Sequence, residues 1–457
     1  MEGYARAKLD PGFLPMEQVL RAYERDVRAG EHVRLTVSIE RNHGYCEVET
    51  LDVFPDGVDD ARNCAVIERL VKTLLWVYGG WRICIHGSRV IYAHLKAAYD
   101  FGGPRDFDRG FMSRVYERPF AVEYFESVAD MPAERRSAEA IGRHLDGCRI
   151  GFDAGGSDRK VSAVIDGEAV FSEEVVWHPK EQADPEYHYQ GIVEALRTAA
   201  GKMPRVDAIG VSSAGVYIDN RIMVASLFIK VPDDAFEKRV KNMYLDAARE
   251  IGADIPVTVA NDGDVTALAG AMEMGVTGVL GIAMGTSEAG GYIDVDGNIT
   301  GWINELAFVP LDMQDGAPVD DWSGDKGCGA NYLSQDAAIR LARKAGIALD
   351  ETRTLAENLR VVQALMEEGD SRARAVYETI GTYLGCAVAY YARFYDIRHV
   401  LIMGRVTSGA GGAILLGQAR AALKAAAPEL DGCIAFHIPD ESRRRVGQSI
   451  AAASLPK

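Results

Sequence analysis

The run of residues 257–301 constrains the fold most, because short apolar segments alternate there with small-residue and glycine-rich turns. A strand-like segment, VTVA, stops at the polar sequence NDGD, and a helical stretch, a second apolar strand and the loop GTSEAGG follow. A carboxylate where a buried strand ends is a common ligand position in α/β sheets. Glycines let backbone N–H groups approach a phosphate closely. The run therefore indicates an α/β fold with a phosphate-binding site near Asp262.

Size and composition are typical of a folded protein with two or three domains. The chain has 457 residues, of which 48% are apolar and 26% charged. No apolar run approaches the roughly 18 residues of a membrane span, and the first residues lack the apolar core of a secretory signal. Seven scattered cysteines indicate a reducing compartment, so a cytoplasmic location without a membrane partner is predicted. The net charge of −17 disfavours nucleic acid as a partner.

Residues 1–148 are predicted to form a separate α+β domain without a functional motif, in a packing or oligomerisation role. The pattern predicts helices over 16–29, 61–78 and 90–99, strands over 33–40, 45–53, 81–87 and 118–125, and a loop over 101–110. His43 with Cys46, and His144 with Cys148, have metal-compatible spacing. Neither pair has a second pair nearby, which favours ordinary surface or core positions.

From residue 148 onward, strands alternate with helices, which predicts α/β sheets. The segment 148–177 is a strand, a glycine loop, a strand, an Asp-Gly turn and a strand. Asp153 lies at the end of the first of these strands, and Lys160 adds positive charge nearby. The same layout recurs over 279–297. Two similar glycine-loop hairpins indicate duplicated lobes that face one ligand.

Four motifs carry a resemblance to a known family. In chain order they are Asp-x-Gly-Gly at 153–156, Asn-Asp at 261–262, Gly-Thr at 285–286 and Gly-x-x-x-Ser-Gly at 404–409. In this order the chain resembles the ROK (repressor, open reading frame, kinase) sugar kinases of the hexokinase/actin/Hsp70 ATPase superfamily. The resemblance extends over residues 149–457 and leaves residues 1–148 outside it.

The resemblance implies a two-lobed actin-like ATPase (ribonuclease H-like) α/β fold that follows the extra N-terminal α+β domain. The first lobe is expected over 149–262 and is completed by a C-terminal helix within 441–457. The second lobe is expected over 263–440. A homodimer is also expected.

The activity that the resemblance implies is ATP-dependent phosphorylation of a hydroxyl on a sugar or polyol. Asp262 matches the catalytic base, and Asp153 would also help to place Mg²⁺. The expected substrate-binding residues are Asn261, Glu305, Ser226 and Asn331. The expected ATP- and phosphate-binding residues are Asp153, Gly155, Gly156, Ser157, Lys160, Gly285, Thr286, Gly290, Gly291, Gly404, Ser408 and Gly409.

The chain departs from the family pattern where family members bind structural zinc. A histidine that is common in the family is replaced by Phe308. In the pattern C-x-C-G-x-x-G-C-x-E, the first two cysteines become Asp321 and Ser323, and the final sugar-binding glutamate becomes Ala330. Cys328 alone cannot make a tetrahedral zinc site, so no zinc is predicted. The lost carboxylate leaves the identity of the acceptor open.

One other interpretation of Asp262 and two other functions compete with a kinase at this stage. Asp262 alone is an ordinary helix N-cap, but the two glycine loops and the terminal motif in family order favour catalysis. A non-catalytic ROK-like sensor or regulatory protein that binds a sugar or effector is the main alternative, motivated by the altered sugar-binding positions. An ATPase that drives a partner protein would use the same loops.

Overall fold

The computed structural model describes residues 6–136, 141–439 and 441–457, with the backbone alone over 441–446. The N-terminal unit is a four-stranded sheet covered by helices. Its elements are α1 (Met16–Arg28), β1 (Val33–Glu40), β2 (Cys46–Val53), α2 (Asp60–Tyr78), β3 (Arg82–His86), α3 (Arg89–Ala98), α4 (Asp106–Tyr116) and β4 (Ala121–Tyr124). The strand order is β2-β1-β3-β4, with β3 and β4 parallel and the other pairs antiparallel.

Helix α4 begins inside the segment that the sequence predicted as a loop, so the loop prediction over 101–110 is wrong for its second half. Apolar side chains recur every four residues at Phe107, Phe111 and Val115, which is the period of a helix face. That face packs on the rest of the protein and outweighs the low helix propensity of Gly110.

The first lobe contains a five-stranded sheet. Its elements are β5 (Cys148–Ala154), β6 (Asp158–Ile165), β7 (Glu168–Val176), α5 (Pro185–Ala200), β8 (Ala208–Ser213), β9 (Val216–Ile218), β10 (Arg221–Val224), α6 (Asp233–Ala235), α7 (Met243–Arg249) and β11 (Val257–Asn261). The order is β11-β8-β5-β6-β7, in which β5, β8 and β11 are parallel. Their carboxyl ends meet at one edge: Asn261 is paired with Ser213, and Ser213 with Ala154. Asp153, near the end of β5, therefore lies close to the start of the helix that follows β11. A π-helical turn, Phe236–Val240, lies between α6 and α7.

The second lobe repeats this layout with fewer strands. Its elements are α8 (Asp262–Met274), β12 (Val279–Met284), β13 (Glu288–Ile293), α9 (Gln335–Lys344), α10 (Leu355–Glu367), α11 (Ser371–Tyr391), β14 (His399–Met403), α12 (Ala410–Ala426) and β15 (Ala435–His437). The order is β13-β12-β14-β15, with an antiparallel hairpin at one end and parallel pairs beyond it. In both lobes, therefore, a glycine-turn hairpin adjoins parallel strands.

Helix α13 (Glu441–Ala453) returns to the first lobe. It packs so closely on the sheet that a Cβ on Gly151 would lie 1.7 Å from the carbonyl oxygen of Ser449. A Cβ on Gly210 would lie 1.7 Å from the carbonyl oxygen of Ala452. The two glycines thus let the end of the chain lie directly on β5 and β8.

The N-terminal unit shares one hydrophobic core with the second lobe. Buried side chains such as Tyr23 and Trp76 belong to the same cluster as Tyr383 and Ile402. The first lobe has its own core around Phe152. The domain boundaries at 148, 262 and 440 stay predictions, but the N-terminal core is not closed on itself. None of the helices in the described ranges is both long and apolar enough to cross a membrane.

Candidate active site

At the start of helix α8, Asn261 makes the capping hydrogen bond, so the carboxylate of Asp262 is not needed as a cap. The side chain of Asn261 accepts a hydrogen bond from the backbone N–H of Gly263 (2.7 Å) and so caps the helix. Its amide nitrogen donates to the carbonyl oxygen of Gly215 (2.7 Å), which fixes the cap in place. Asp262 is the first residue inside the helix. The capping interpretation of the sequence therefore applies to Asn261 and not to Asp262.

Burial raises the pKa of Asp262 above its ordinary value, against the opposing effects of the Gly263 N–H and the charge of Lys180. The carboxyl group faces a cavity of about 450 Å³ between the two lobes. The predicted base Asp262 and five residues predicted to bind substrate or phosphate line this cavity: Asn261, Ser226, Glu305, Thr286 and Gly290. The structure thus brings residues from both lobes to one site around Asp262.

A buried hydrogen-bond network holds Asn304, the neighbour of Glu305, against Asp264. Asp264 accepts hydrogen bonds from the backbone N–H of Tyr292 (2.9 Å) and from the side-chain amide of Asn304 (2.9 Å). The hydroxyl of Tyr395 donates to the other end of that amide (2.9 Å). Burial, together with the charges of Asp262 and Asp264, raises the pKa of Glu305 to about 7. A shared proton or a hydroxyl ligand would therefore relieve the crowding of these carboxyl groups.

The N-terminal unit also holds Glu305. The N–H of Asn304 donates to the carbonyl oxygen of Val77 (3.1 Å), and that of Glu305 to Trp76 (2.9 Å). These carbonyl groups belong to the last turn of α2, where a helix has no internal donors left for them. Phe111 of α4 lines the same cavity. The segment without a functional motif thus contributes to the wall of the site.

Lys180 lies between the first glycine turn and the cavity. This lysine lies on the turn Pro179–Glu181 after β7, and its Nζ would be 3.5 Å from a Cβ on Gly156. It lines the cavity as well. Lys160, the cation predicted from the sequence, pairs with Asp158 at 3.1 Å and lies opposite Asp153 in the β5–β6 register. A side chain that the sequence analysis missed therefore provides the cation between the turn and Asp262.

Asp153 is buried at the end of β5. Its Oδ1 accepts hydrogen bonds from Ser212 (2.8 Å) and Gln448 (3.2 Å). Burial raises its pKa to about 6, while the hydrogen bond from Ser212 and the charge of Lys160 act in the opposite direction. In the adjoining turn, Trp177 donates to the carbonyl oxygen of Gly155 (2.7 Å), and Ser157 bonds Asp158 (3.1 Å). The turn is thus anchored on both sides of Gly156.

The second glycine turn divides into two parts. Thr286 and Ser287 are exposed at its tip and line the cavity, next to Gly285. Gly291 lies away from the cavity, because a Cβ there would be 2.2 Å from the carbonyl oxygen of Gly263. Gly290 lines the cavity but also lies against Asn304 and Leu306. The second glycine pair is therefore required for close packing of α8 on β13.

The three residues predicted to hold adenosine come together at a second cavity of about 510 Å³. Gly404, Ser408 and Gly409 line it at the end of β14 and the start of α12. Gly404 has a φ of 98°, and a Cβ there would lie 2.4 Å from the carbonyl oxygen of Met284. Because Met284 immediately precedes the second glycine turn, this cavity adjoins the tip that carries Thr286.

The segment that departs from the zinc pattern is held by the N-terminal unit. Phe308 packs on Trp76, with ring centroids 4.3 Å apart. Asp325 forms ion pairs with Arg69 (2.6 Å), Lys72 (3.2 Å) and Arg105 (2.7 Å). Although burial opposes ionisation, these three cations hold the pKa of Asp325 well below its usual range. An aromatic contact and an ion cluster thus fix the segment where the family pattern has metal ligands.

Asn331 is the one predicted substrate ligand that does not line the cavity. It lies on the turn Gly329–Asn331, and its backbone carbonyl accepts from Arg340 (2.7 Å). Over the residues that the structure describes, no group of three or more His, Cys, Asp or Glu side chains is placed to hold a metal ion. The prediction that the chain binds no zinc stays a prediction.

Phe111, Lys180 and Glu288 are among the residues of the cavity wall that were not predicted from the sequence. Phe111 and Lys180 had no local signal, because each comes from a segment without a motif. Glu288 had one: it is the acidic residue within the loop GTSEAGG. It is buried, with 4% of its surface exposed.

Two lobes with matching sheets, a carboxylate between them and glycine turns on both sides define the two-lobed actin-like ATPase fold, as the resemblance implied. Known structures agree. A ROK hexokinase from Thermus thermophilus aligns with a TM-score of 0.51 and 21% identity, covering 68% of this chain and 97% of that one. A ROK family transcriptional regulator, a homologue of the E. coli MLC protein, aligns with a TM-score of 0.54 and 17% identity, covering 68% and 79%. At these identities the likeness concerns the fold alone.

The family follows from the sequence comparison. The model of the ROK family matches residues 149–416, which is more than half of the chain, and the chain belongs to this family. A glucokinase of Halalkalibacterium halodurans is 29% identical over 176 residues, which are 35% of this chain and 52% of that protein. The matched region thus spans about half the length of this curated relative.

Proposed function

We propose that the chain is an ATP-dependent kinase that phosphorylates a hydroxyl group of a sugar or sugar-like alcohol, with Asp262 as the general base. The observation that carries the proposal is the division of labour at α8. Asn261 caps the helix, so the adjacent Asp262 carboxylate is left to face the cavity. A raised pKa improves a carboxylate as a proton acceptor.

The acceptor would lie among Asn261, Ser226 and Glu305, with its hydroxyl at Asp262. ATP would extend from the cavity at Gly404 across the tip at Thr286 toward Lys180. In phosphoryl transfer, catalysis is mostly positioning and stabilisation of charge. Backbone N–H groups of the turns and the Lys180 ammonium suit that task.

The donor set also fits Mg²⁺, a hard cation that binds through one or two carboxylates and the phosphates of its nucleotide. Asp153 would hold the ion directly or through water, because it is a buried carboxyl group at the edge where the parallel strands end. A bound ion would supply neutralisation of charge on the phosphates.

A sensor without catalysis is the second candidate. It is favoured by Ala330, where the family pattern has a sugar-binding glutamate, and by the regulator among the similar folds. The kinase is supported by the intact constellation of Asp262, Lys180 and both turns. A homodimer and a cytoplasmic location stay predictions of the sequence.

The test is ADP release by the purified full chain with Mg·ATP and a panel of acceptors. The panel contains neutral hexoses, N-acetylated and free amino sugars, polyols, and sugar acids. We expect acceptor-dependent ADP release with at least one member and a matching phosphorylated product by mass spectrometry. Binding of a sugar by calorimetry without turnover, under conditions where ATP also binds, would favour the sensor.

A further inference from the structure

The cavity contains a carboxyl group that neither the helix cap nor the base requires. Glu288 opens β13 directly after the second turn and lines the cavity with Asp262 and Glu305. Only 4% of its surface is exposed. Its Oε1 accepts a hydrogen bond from the hydroxyl of Tyr391 (3.3 Å). Its Oε2 has no hydrogen-bond partner among the described residues.

An unsatisfied buried carboxyl oxygen is costly and uncommon in proteins. Burial raises the pKa of Glu288 to about 8, with the Tyr391 hydroxyl acting in the opposite direction. No ion pair relieves it within the described part of the chain, whereas other buried acids such as Glu47 and Asp108 are ion-paired. A group of this kind is expected where a ligand supplies the missing partner.

The direction of the side chain identifies the wall that it serves. Oε2 would lie 2.1 Å from a Cβ on Gly329, so the carboxyl group occupies the space that a side chain there would take. The next residue, Ala330, lines the cavity with only a methyl group. The carboxylate that the resemblance leads one to expect from position 330 is absent, and one from β13 lies beside that position.

Charge limits what the acceptor can be. The acceptor side of the cavity carries Asp262, Glu288 and Glu305, together with Asp320 near Trp322 at the mouth. Among the described residues that line the cavity, the one cation is Lys180, which lies beside the first glycine turn. An anionic acceptor would therefore be repelled by the ionised groups and would oppose ionisation of the others, while a hydroxyl or ammonium donor would favour the ionised carboxylates.

We propose that Glu288 binds the acceptor and makes the site specific for polyhydroxy compounds that are uncharged or carry an amine, and selective against acidic ones. A hydroxyl or ammonium group of the acceptor donates to the Glu288 carboxylate and so supplies the partner that this group lacks. This inference rests on the proposed function, because it assumes that the cavity holds an acceptor.

The test compares Glu288→Gln and Glu288→Ala with the unchanged chain and with a matched control, Glu368→Gln. Glu368 is an exposed glutamate at the end of α10, outside both cavities. For the best acceptor of the panel, we expect KM to rise about 10-fold or more in the alanine variant. One hydrogen bond to a charged or buried polar group has a magnitude of about 1.5–3 kcal/mol. KM for ATP should stay within about twofold, and the control should match the parent.

A second readout separates recognition from structure. Rates with a neutral sugar, its amino analogue and its acid analogue are compared in each variant. In Glu288→Gln, discrimination against the acid should decrease, and the amino analogue should lose more than the neutral sugar if an amine is the natural donor. A folded Glu288→Ala with unchanged acceptor KM and unchanged discrimination would overturn the inference while leaving the kinase proposal intact. If no acceptor supports turnover in the parent, the proposed function fails first, and calorimetric binding of the panel then tests Glu288 alone.

Discussion

The backbone N–H of Glu305 donates a hydrogen bond to the carbonyl oxygen of Trp76 over 2.9 Å. Glu305 belongs to the cavity, and Trp76 to the last turn of a helix in the N-terminal unit. The same unit provides the cations around Asp325 and the aromatic surface beneath Phe308. The N-terminal unit therefore supports one wall of the cavity.

Asp325→Asn tests this support. The change leaves Arg69, Lys72 and Arg105 without their shared anion, and breaking a buried pair in this way costs about 3–5 kcal/mol. We expect a lower midpoint in urea unfolding and, because Trp322 and Ala330 flank the same segment, a higher KM for the acceptor. Asp321→Asn is the control, since that side chain is exposed on the same segment. Equal stability of both variants would contradict a structural role for the cluster.

Asp262→Asn tests the base. The amide keeps the size of the side chain but cannot accept the proton, and loss of a general base typically costs about 10²–10⁴ in rate. ATP affinity, measured by calorimetry, should change little, because the nucleotide is expected at the turns and at Gly404. A variant that folds, binds ATP and turns over normally would exclude the mechanism proposed here.

Asn261→Ala tests the capping assignment. Removal of an N-cap side chain costs about 0.5–2 kcal/mol, and the hydrogen bond to Gly215 is lost as well. We expect the free energy of unfolding to fall by about this amount, whereas Asp262→Asn should be nearly neutral for stability. An unchanged free energy of unfolding for Asn261→Ala in urea titrations would contradict the capping assignment.

Lys180→Met tests the cation at the first turn. A charge-assisted hydrogen bond is worth about 1.5–3 kcal/mol, so KM for ATP should rise about 10–100-fold. Acceptor affinity measured without ATP should stay unchanged. The matched control is Lys230→Met, an exposed lysine of the same lobe outside the cavity. An unchanged KM for ATP would remove Lys180 from the phosphate site.

The pH dependence of stability tests Glu288 in a second way. The pKa of Glu288 in the folded protein is about 8, above the ordinary value near 4.5. Its contribution to the free energy of unfolding is therefore fully present at low pH and is lost as the pH rises through 8. The expected loss is about 1.4 kcal/mol per pH unit between these values. Glu288→Gln should therefore match the parent in urea unfolding at pH 5 and be more stable at pH 8. The same difference at both pH values would contradict the raised pKa.

The sequence predicted the lobes well because their elements carry strong local signals. VTVA followed by NDGD marks the end of β11 and the start of α8, and the turns after β5 and β12 have unambiguous glycines. It failed at α4, where Gly102, Gly103 and Gly110 concealed an apolar helix face whose partners are distant in the chain.

The same limit applies to the site. Residues within motifs were placed near one another, as Asn261, Asp262 and Glu305 show. Lys180 and Phe111 were missed because tertiary packing alone brings them to the cavity. Gly291 was predicted to bind phosphate. Its close approach to Gly263 is instead the reason that this position has no side chain. A glycine motif indicates that something approaches the backbone, without indicating what.

The core that the N-terminal unit shares with the second lobe also affects the order in which the protein is built. Tyr116 and Leu280 belong to one cluster, and the whole sheet of the first lobe is synthesised between them. At ~5–20 residues per second, these roughly 160 residues take on the order of 10 to 30 seconds to emerge from a ribosome. During that time the apolar face of the N-terminal unit has no partner. We expect chaperones to bind such a nascent chain. Its folded yield should depend on how fast it is translated.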